Sequence, residues 1–220
     1  MAYRRTANVV RRLNERHDAI IEAARDAAAE GGMAAVQIVP VAERAGVAAG
    51  TVYRYFPAKI DLVGALVEAV AEREIEAVRL AADAAPGPLS ALVAAVATFA
   101  TRALRQRRLA WAMIAEPVDT EVDQFRQNYR KVLIGKIEAR IRSAIEGKHL
   151  PEQDAGLAAA ALVGAMLEGL IGPLAPESTS PAKVRDTVQA LLLFSLRGLG
   201  VVDARARGLV VQAKLPADSD

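Results

Sequence analysis

Cysteine is absent from this chain of 220 residues. That excludes disulfides, thiolate metal sites and cysteine nucleophiles, and it suits a cytoplasmic protein. Histidine is scarce: His17 and His149 lie in different regions. His149 shares a loop with Glu152 and Asp154, a grouping more often met as a hydrated turn than as a metal site. No Gly-x-Ser-x-Gly occurs, and Lys136 and Lys148 follow glycines without the upstream Gly and downstream Ser/Thr of a phosphate-binding loop. With no nucleophile–base pair, no catalytic residue, no metal and no cofactor are expected. A small helical hydrolase or transferase is the least supported reading.

Glycine and proline are sparse, aromatics make up only 4%, and no segment alternates apolar and polar residues as a strand would. Alanine and leucine are abundant and apolar residues reach 53%, which favours a packed all-helical chain over disorder. No long hydrophobic run is free of charge. The best membrane candidate, residues 155–175, is interrupted by Glu168, and its small residues suit tight helix packing equally well. Arg4, Arg5, Arg11 and Arg12 come early but no apolar run follows them, so neither a signal peptide nor a membrane partner is expected.

Punctuation by Gly and Pro divides the rest. Helices are expected over about 14–30, 39–45, 50–56, 59–84, 89–105, 109–115, 120–146, 151–172 and 182–199. A Pro/Ser/Thr loop lies over 173–181, and the last twenty residues show no strong pattern. Four units follow: a flexible basic arm (1–12), a helix-turn-helix domain (13–58), a larger helical domain (59–200) and a tail (201–220). Charge is uneven across them. Residues 1–59 hold nine Lys/Arg against six Asp/Glu, and residues 60–220 hold nineteen against twenty. A basic arm ahead of a helix-turn-helix is what phosphate attraction would select, and a solvated tail is the plain alternative.

The densest signal is Ala45 to Lys59, AGVAAGTVYRYFPAK. Gly46 can end one helix with φ > 0. Val47 plugs the gap, and the next helix has room for two turns before Pro57. Val52 and Phe56, four apart, share its buried face. Thr51, Arg54 and Tyr55 point elsewhere. Such a helix has the dimensions of the DNA major groove. A small core of Ile20, Ala24, Val36, Val41, Val47, Val52, Phe56 and Leu62 would hold three helices together.

AGVAAGTVYRYFPAKIDL, with AIIEAARDAAAEGG upstream, resembles the N-terminal DNA-binding domain of TetR-family transcriptional regulators. The match covers the first quarter to third of the chain. Beyond it, only length and helical character agree. The resemblance implies an all-α fold: a three-helix helix-turn-helix domain followed by a ligand-binding and dimerisation domain. By position in the motif, Ala49, Gly50, Thr51, Tyr53 and Arg54 would meet base edges, while Thr51, Tyr55 and Lys59 would meet phosphates. Arg54 is the residue suited to a bidentate contact with guanine. Two departures matter. Ala48 and Ala49 replace the usual polar cap, forgoing about 1 kcal/mol. Val39 and Pro40 replace polar residues of the second helix, leaving Gln37 as its best donor.

The resemblance also implies a homodimer on a palindromic operator and a small-molecule effector. Outside the motif, most aromatics fall at 99–129. Phe99, Trp111, Met113, Phe125, Tyr129 and Met166, with Glu116 as polar determinant, are the expected lining of a pocket for a small, largely apolar ligand. Plain core packing is the alternative for each. Residues 155–169 carry little side-chain bulk and 191–196 are Leu-rich, so Ala161, Gly164, Leu192 and Leu196 are the expected dimer contacts. The function implied is a repressor released from DNA by its ligand. A DNA-binding dimer controlled by a protein partner or by abundance is the alternative.

Overall fold

A computed structural model describes residues 2–172, 175 and 180–216, with side chains from Val9 onward. The helices are α1 (Ala2–Gly31), α2 (Ile38–Arg44), α3 (Ala49–Tyr55), α4 (Lys59–Asp83), α5 (Pro88–Arg105), α6 (Arg107–Ile114), α7 (Thr120–Glu146), α8 (Ala155–Leu170), α9 (Pro181–Gly198) and α10 (Asp203–Gln212). A 3-10 turn, Met33–Ala35, follows α1, and no strand occurs among the described residues. The fold is all-α: an N-terminal helix-turn-helix domain, α1 to α3, followed by a larger helical domain.

Three elements differ from the sequence reading. First, α1 starts at Ala2, not near Asn14, so residues 2–12 are helical where a flexible arm was expected. No Gly or Pro interrupts them, and a helix nucleated by packed residues propagates at little cost. Val9, Val10 and Leu13 on this extension remain exposed. Second, α8 begins four residues after Pro151, where the Asp154 carboxylate accepts the Leu157 amide at 3.0 Å and caps the helix. Third, the C-terminal segment contains α10, held by Ala206 and Val210. Two buried residues four apart are too narrow a stripe for periodicity to reveal. The Pro/Ser/Thr loop at 173–181 lies mostly outside the described residues.

Helix α5 is the hub. Leu92, Val96, Phe99, Ala100 and Leu104 are all buried, and α4, α7 and α9 pack around them. Helix α8 lies on α7, whereas α9 lies on α5 and α10. Among the described residues no helix is long and apolar enough to cross a membrane.

Candidate nucleic-acid interface and ligand cleft

The helix-turn-helix is built from its turn. Gly46 sits at φ +67°, the left-handed region in which any side chain costs about 1–2 kcal/mol. Around it the Gly46 amide donates to Glu43 O at 3.1 Å and the Val47 amide to Ala42 O at 2.9 Å. That pair of bonds closes α2 and aims the chain into α3. Beneath, Ile20, Ala24, Val36, Val41, Val52, Phe56 and Leu62 are buried, with Val47 half-buried. Arg44 makes a two-pronged ion pair with Glu30 at 2.7 and 2.5 Å, tying α2 to α1. The guanidinium holds the exposed Glu30 carboxyl below the usual carboxylate range.

What α3 leaves outward is Gly50, Tyr53 and Arg54, with Ala49, Thr51 and Tyr55 half-buried. A Cβ on Gly50 would meet nothing within 4 Å, so another surface can approach the backbone there. Tyr53 is 51% exposed. Among the described residues neither Arg54 nor Lys59 makes a hydrogen bond or ion pair. Lys59 opens α4, whose Asp61 accepts the Ala58 amide at 2.8 Å. Tyr55 differs from its neighbours: its hydroxyl donates to Leu13 O at 3.2 Å and its ring lies edge-on to His17. It braces α3 against α1. Gln37 is exposed and donates to Ala34 O at 3.0 Å. Arg11 and Arg12 are exposed on α1, while the side chains of Arg4 and Arg5 lie outside the described residues.

The seven ligand candidates separate. Phe99, Met113 and Tyr129 meet around a small cavity of about 40 Å³ between α4, α5, α6 and α7. That volume holds a water or two. A two-pronged Glu74–Arg102 pair at 2.8 Å lines it. Burial, then the Glu74 carboxylate, pushes the Tyr129 phenol up, so the ring stays neutral. Trp111 and Glu116 line a different cleft, of about 460 Å³, bounded by α6, α7 and α8, and Ile114 borders both spaces. Phe125 packs on α4 at Gly64, where an added Cβ would lie 2.7 Å from its ring, and with Tyr129 it borders an open groove of about 600 Å³ between α4 and α7. Met166 is fully buried on α8 and lines neither space. Trp111 and Met113 are two apart on α6, which puts them about 200° apart around the helix, and spacing alone did not reveal which wall each would face.

Glu116 has another task. Its carboxylate accepts the Met33 amide at 3.0 Å, and Arg108 beside it donates to Gly31 O at 2.9 Å. Between them Gly32 takes φ +76°, and a Cβ there would lie 2.5 Å from the Glu116 carboxylate and collide with Arg108. With Arg25 donating to Gln106 at 2.9 Å and Arg73 paired with Glu22, these contacts join the two domains. The sequence reading took Gly31-Gly32 as a helix stop only. It also passed over Arg126 and Arg130. Arg126 is 3% exposed and donates to Glu116 O at 2.6 Å and to Ala112 O; Arg130 donates to Ile114 O at 2.9 Å. Together they satisfy the carbonyls at the end of α6.

Of the expected dimer contacts, Ala161 and Gly164 are exposed on α8, alongside Leu157 at 69%. Leu192 and Leu196 are each only 1% exposed, inside the subunit with Val188 and Leu199. The Leu-rich run hid this register. Its outward residue is Phe194, 62% exposed.

The family model described as bacterial regulatory proteins, tetR family, matches residues 20–66. The HTH-type transcriptional repressor KstR of Rhodococcus jostii is 48% identical over 73 residues, which is 33% of this chain and 32% of that protein. The chain thus matches about a third of the length of its curated relatives. Among solved structures, RolR in complex with resorcinol superposes with a TM-score of 0.64 at 21% identity, covering 94% of this chain and 100% of that one. The regulator FadR from Bacillus subtilis, in complex with stearoyl-CoA, superposes with a TM-score of 0.66 at 21% identity over 80% of this chain and 97% of that one. These likenesses establish that the larger domain shares their fold.

Proposed function

The chain belongs to the TetR family through its DNA-binding domain, and from that premise we propose a transcriptional repressor released from a palindromic operator by a small organic ligand. The observation that carries this reading is α3. It is a two-turn helix fixed by the Gly46 turn, with Tyr53 and Arg54 outward and backbone access at Gly50. The repressor sense follows the curated relatives, which are named repressors. A small ligand follows the fold neighbours that hold resorcinol and stearoyl-CoA. The protein acts in the cytoplasm by binding alone, with no catalytic step and no cofactor.

Two copies place two recognition helices in successive major grooves, about 34–36 Å apart or a multiple of that. Helices α4 and α6 connect the domains, so a ligand that shifts either changes the spacing. It need only bind the DNA-incompetent arrangement better, and a differential of about 1–3 kcal/mol lowers operator affinity roughly 5–150-fold. Control by a protein partner or by abundance is favoured by one observation: the cavity at Phe99, Met113 and Tyr129 is water-sized. Operator selection from random DNA, followed by a compound screen for release in a mobility-shift assay, tests both. No selected sequence refutes DNA recognition, and a selected operator that no compound releases favours the partner-controlled reading.

A further inference from the structure

We propose that the cleft bounded by α6, α7 and α8 is a binding site for an organic anion, its carboxylate seated against Arg126 and Arg130 and its apolar body against Trp111 and Leu167. The inference deepens the regulator reading, on which its consequence for DNA rests. It begins from an electrostatic imbalance. Arg126 and Arg130 lie four apart on α7 and so share a face. Among the described residues neither makes an ion pair, and the Nε of each is buried with no hydrogen-bond partner. Their remaining bonds go to neutral carbonyls at the C-terminus of α6. A helix end supplies about half a negative charge against two full positive ones. A buried guanidinium with no carboxylate bonded to it is costly, and burial is the leading cause that pulls Arg126 below its ordinary value, against the opposing influence of Asp123 and Glu116.

Three acids also border the cleft, and none is ion-paired with either arginine. Glu116 holds the Met33 amide and faces Arg108, Asp123 accepts from Gln127 at 2.8 Å, and Glu168 is exposed and turned to Gly172. The cleft measures about 460 Å³, within the range that holds small organic molecules. Trp111, Ile114, Val118 and Leu167 give it apolar walls. An anion completes the arginine pair, and a hydrocarbon or aromatic body covers those walls. The location suits a sensor. The same α6 end carries Glu116, whose carboxylate grips the DNA-binding domain at Met33, and a second negative charge beside it weakens that grip.

Trp111 is the only tryptophan, so its fluorescence reports binding without DNA present. Decanoate and 4-phenylbutyrate are titrated against the matched alcohols, decanol and 4-phenylbutanol. The acid of at least one pair should bind about tenfold more tightly than its alcohol. Arg130→Gln should erase most of that preference while the melting temperature stays near wild type. Arg126→Lys, which keeps the charge, should retain part of it. The proposal is overturned if acid and alcohol bind alike, if no acid changes Trp111 emission below about 10 mM, or if Arg130→Gln keeps the full preference. A chain that binds no operator would still show the preference. A repressor released only by neutral compounds would keep the regulator reading and lose this one.

Discussion

The carboxylate of Glu116 accepts the backbone amide of Met33 at 3.0 Å, a single bond that fastens the end of α6 to the corner between α1 and α2 of the DNA-binding domain. Arg108, bonded to Gly31 O, and Gly32, in the left-handed region, complete the junction. Glu116→Ala removes the acceptor and leaves the amide unpaired, at a cost of about 1 kcal/mol. Hydrogen exchange at Met33 should then accelerate about fivefold or more. Gly32→Ala should act more strongly, because backbone strain adds to the collision with Arg108 and Glu116. Unchanged exchange at Met33 in both variants would mean that the bond does not hold the junction.

Recognition by α3 separates two classes of contact. Tyr53→Ala and Arg54→Ala should weaken specific binding, with Arg54→Ala relaxing selectivity at one base pair by about 1–3 kcal/mol. Lys59→Ala should weaken specific and non-specific binding alike and flatten the salt dependence by about 0.9 in log–log slope if it meets one phosphate. Tyr55→Phe, which loses only the bond to Leu13 O, should cost stability before it costs affinity. Mobility-shift titrations on a selected operator measure all four. Wild-type binding by the Tyr53, Arg54 and Lys59 variants together would remove α3 from the groove.

The helix-turn-helix was legible in the sequence because each of its parts is a local decision. Gly46 needs φ > 0, Val52 and Phe56 need one face, and Pro57 needs a helix to stop. The ends of α7 could be read from Thr120 and Gly147 for the same reason. The larger domain is decided by contacts distant in sequence. Glu116 meets Met33, Arg126 meets the end of α6, and Phe125 meets Gly64, and no spacing rule announces such pairs. Periodicity marked 191–196 as apolar, but four consecutive apolar residues blur the phase, so Leu192 read as outward while Phe194 is.

That register changes how assembly is tested. Gly164 is exposed on α8, and an added Cβ there meets nothing within 4 Å in the subunit, so Gly164→Arg should leave the monomer fold intact. If α8 and α9 pair across a two-fold axis, Gly164→Arg and Phe194→Asp should both shift the protein to monomer, with melting behaviour that no longer depends on concentration. Leu192→Asp buries a charge inside the subunit and should unfold it instead. Analytical ultracentrifugation at micromolar concentration decides. A wild-type monomer, or a dimer unaffected by both surface variants, would place the interface elsewhere or nowhere.

The N-terminal stretch of α1 gives the last prediction. Residues 2–12 carry Arg4, Arg5, Arg11 and Arg12 ahead of the helix-turn-helix, and Val9, Val10, Arg11 and Arg12 are all exposed. Deleting 2–12 keeps Leu13, whose carbonyl holds the Tyr55 hydroxyl, and keeps His17 against the Tyr55 and Phe56 rings. The melting temperature should therefore stay close to that of the full chain. DNA affinity should fall, and the log–log salt slope should shrink by about 0.9 for each arginine that reaches a phosphate. An unaltered slope with unaltered affinity would make this basic extension a solvated helix end, and α3 with Lys59 would then account for the whole electrostatic contact.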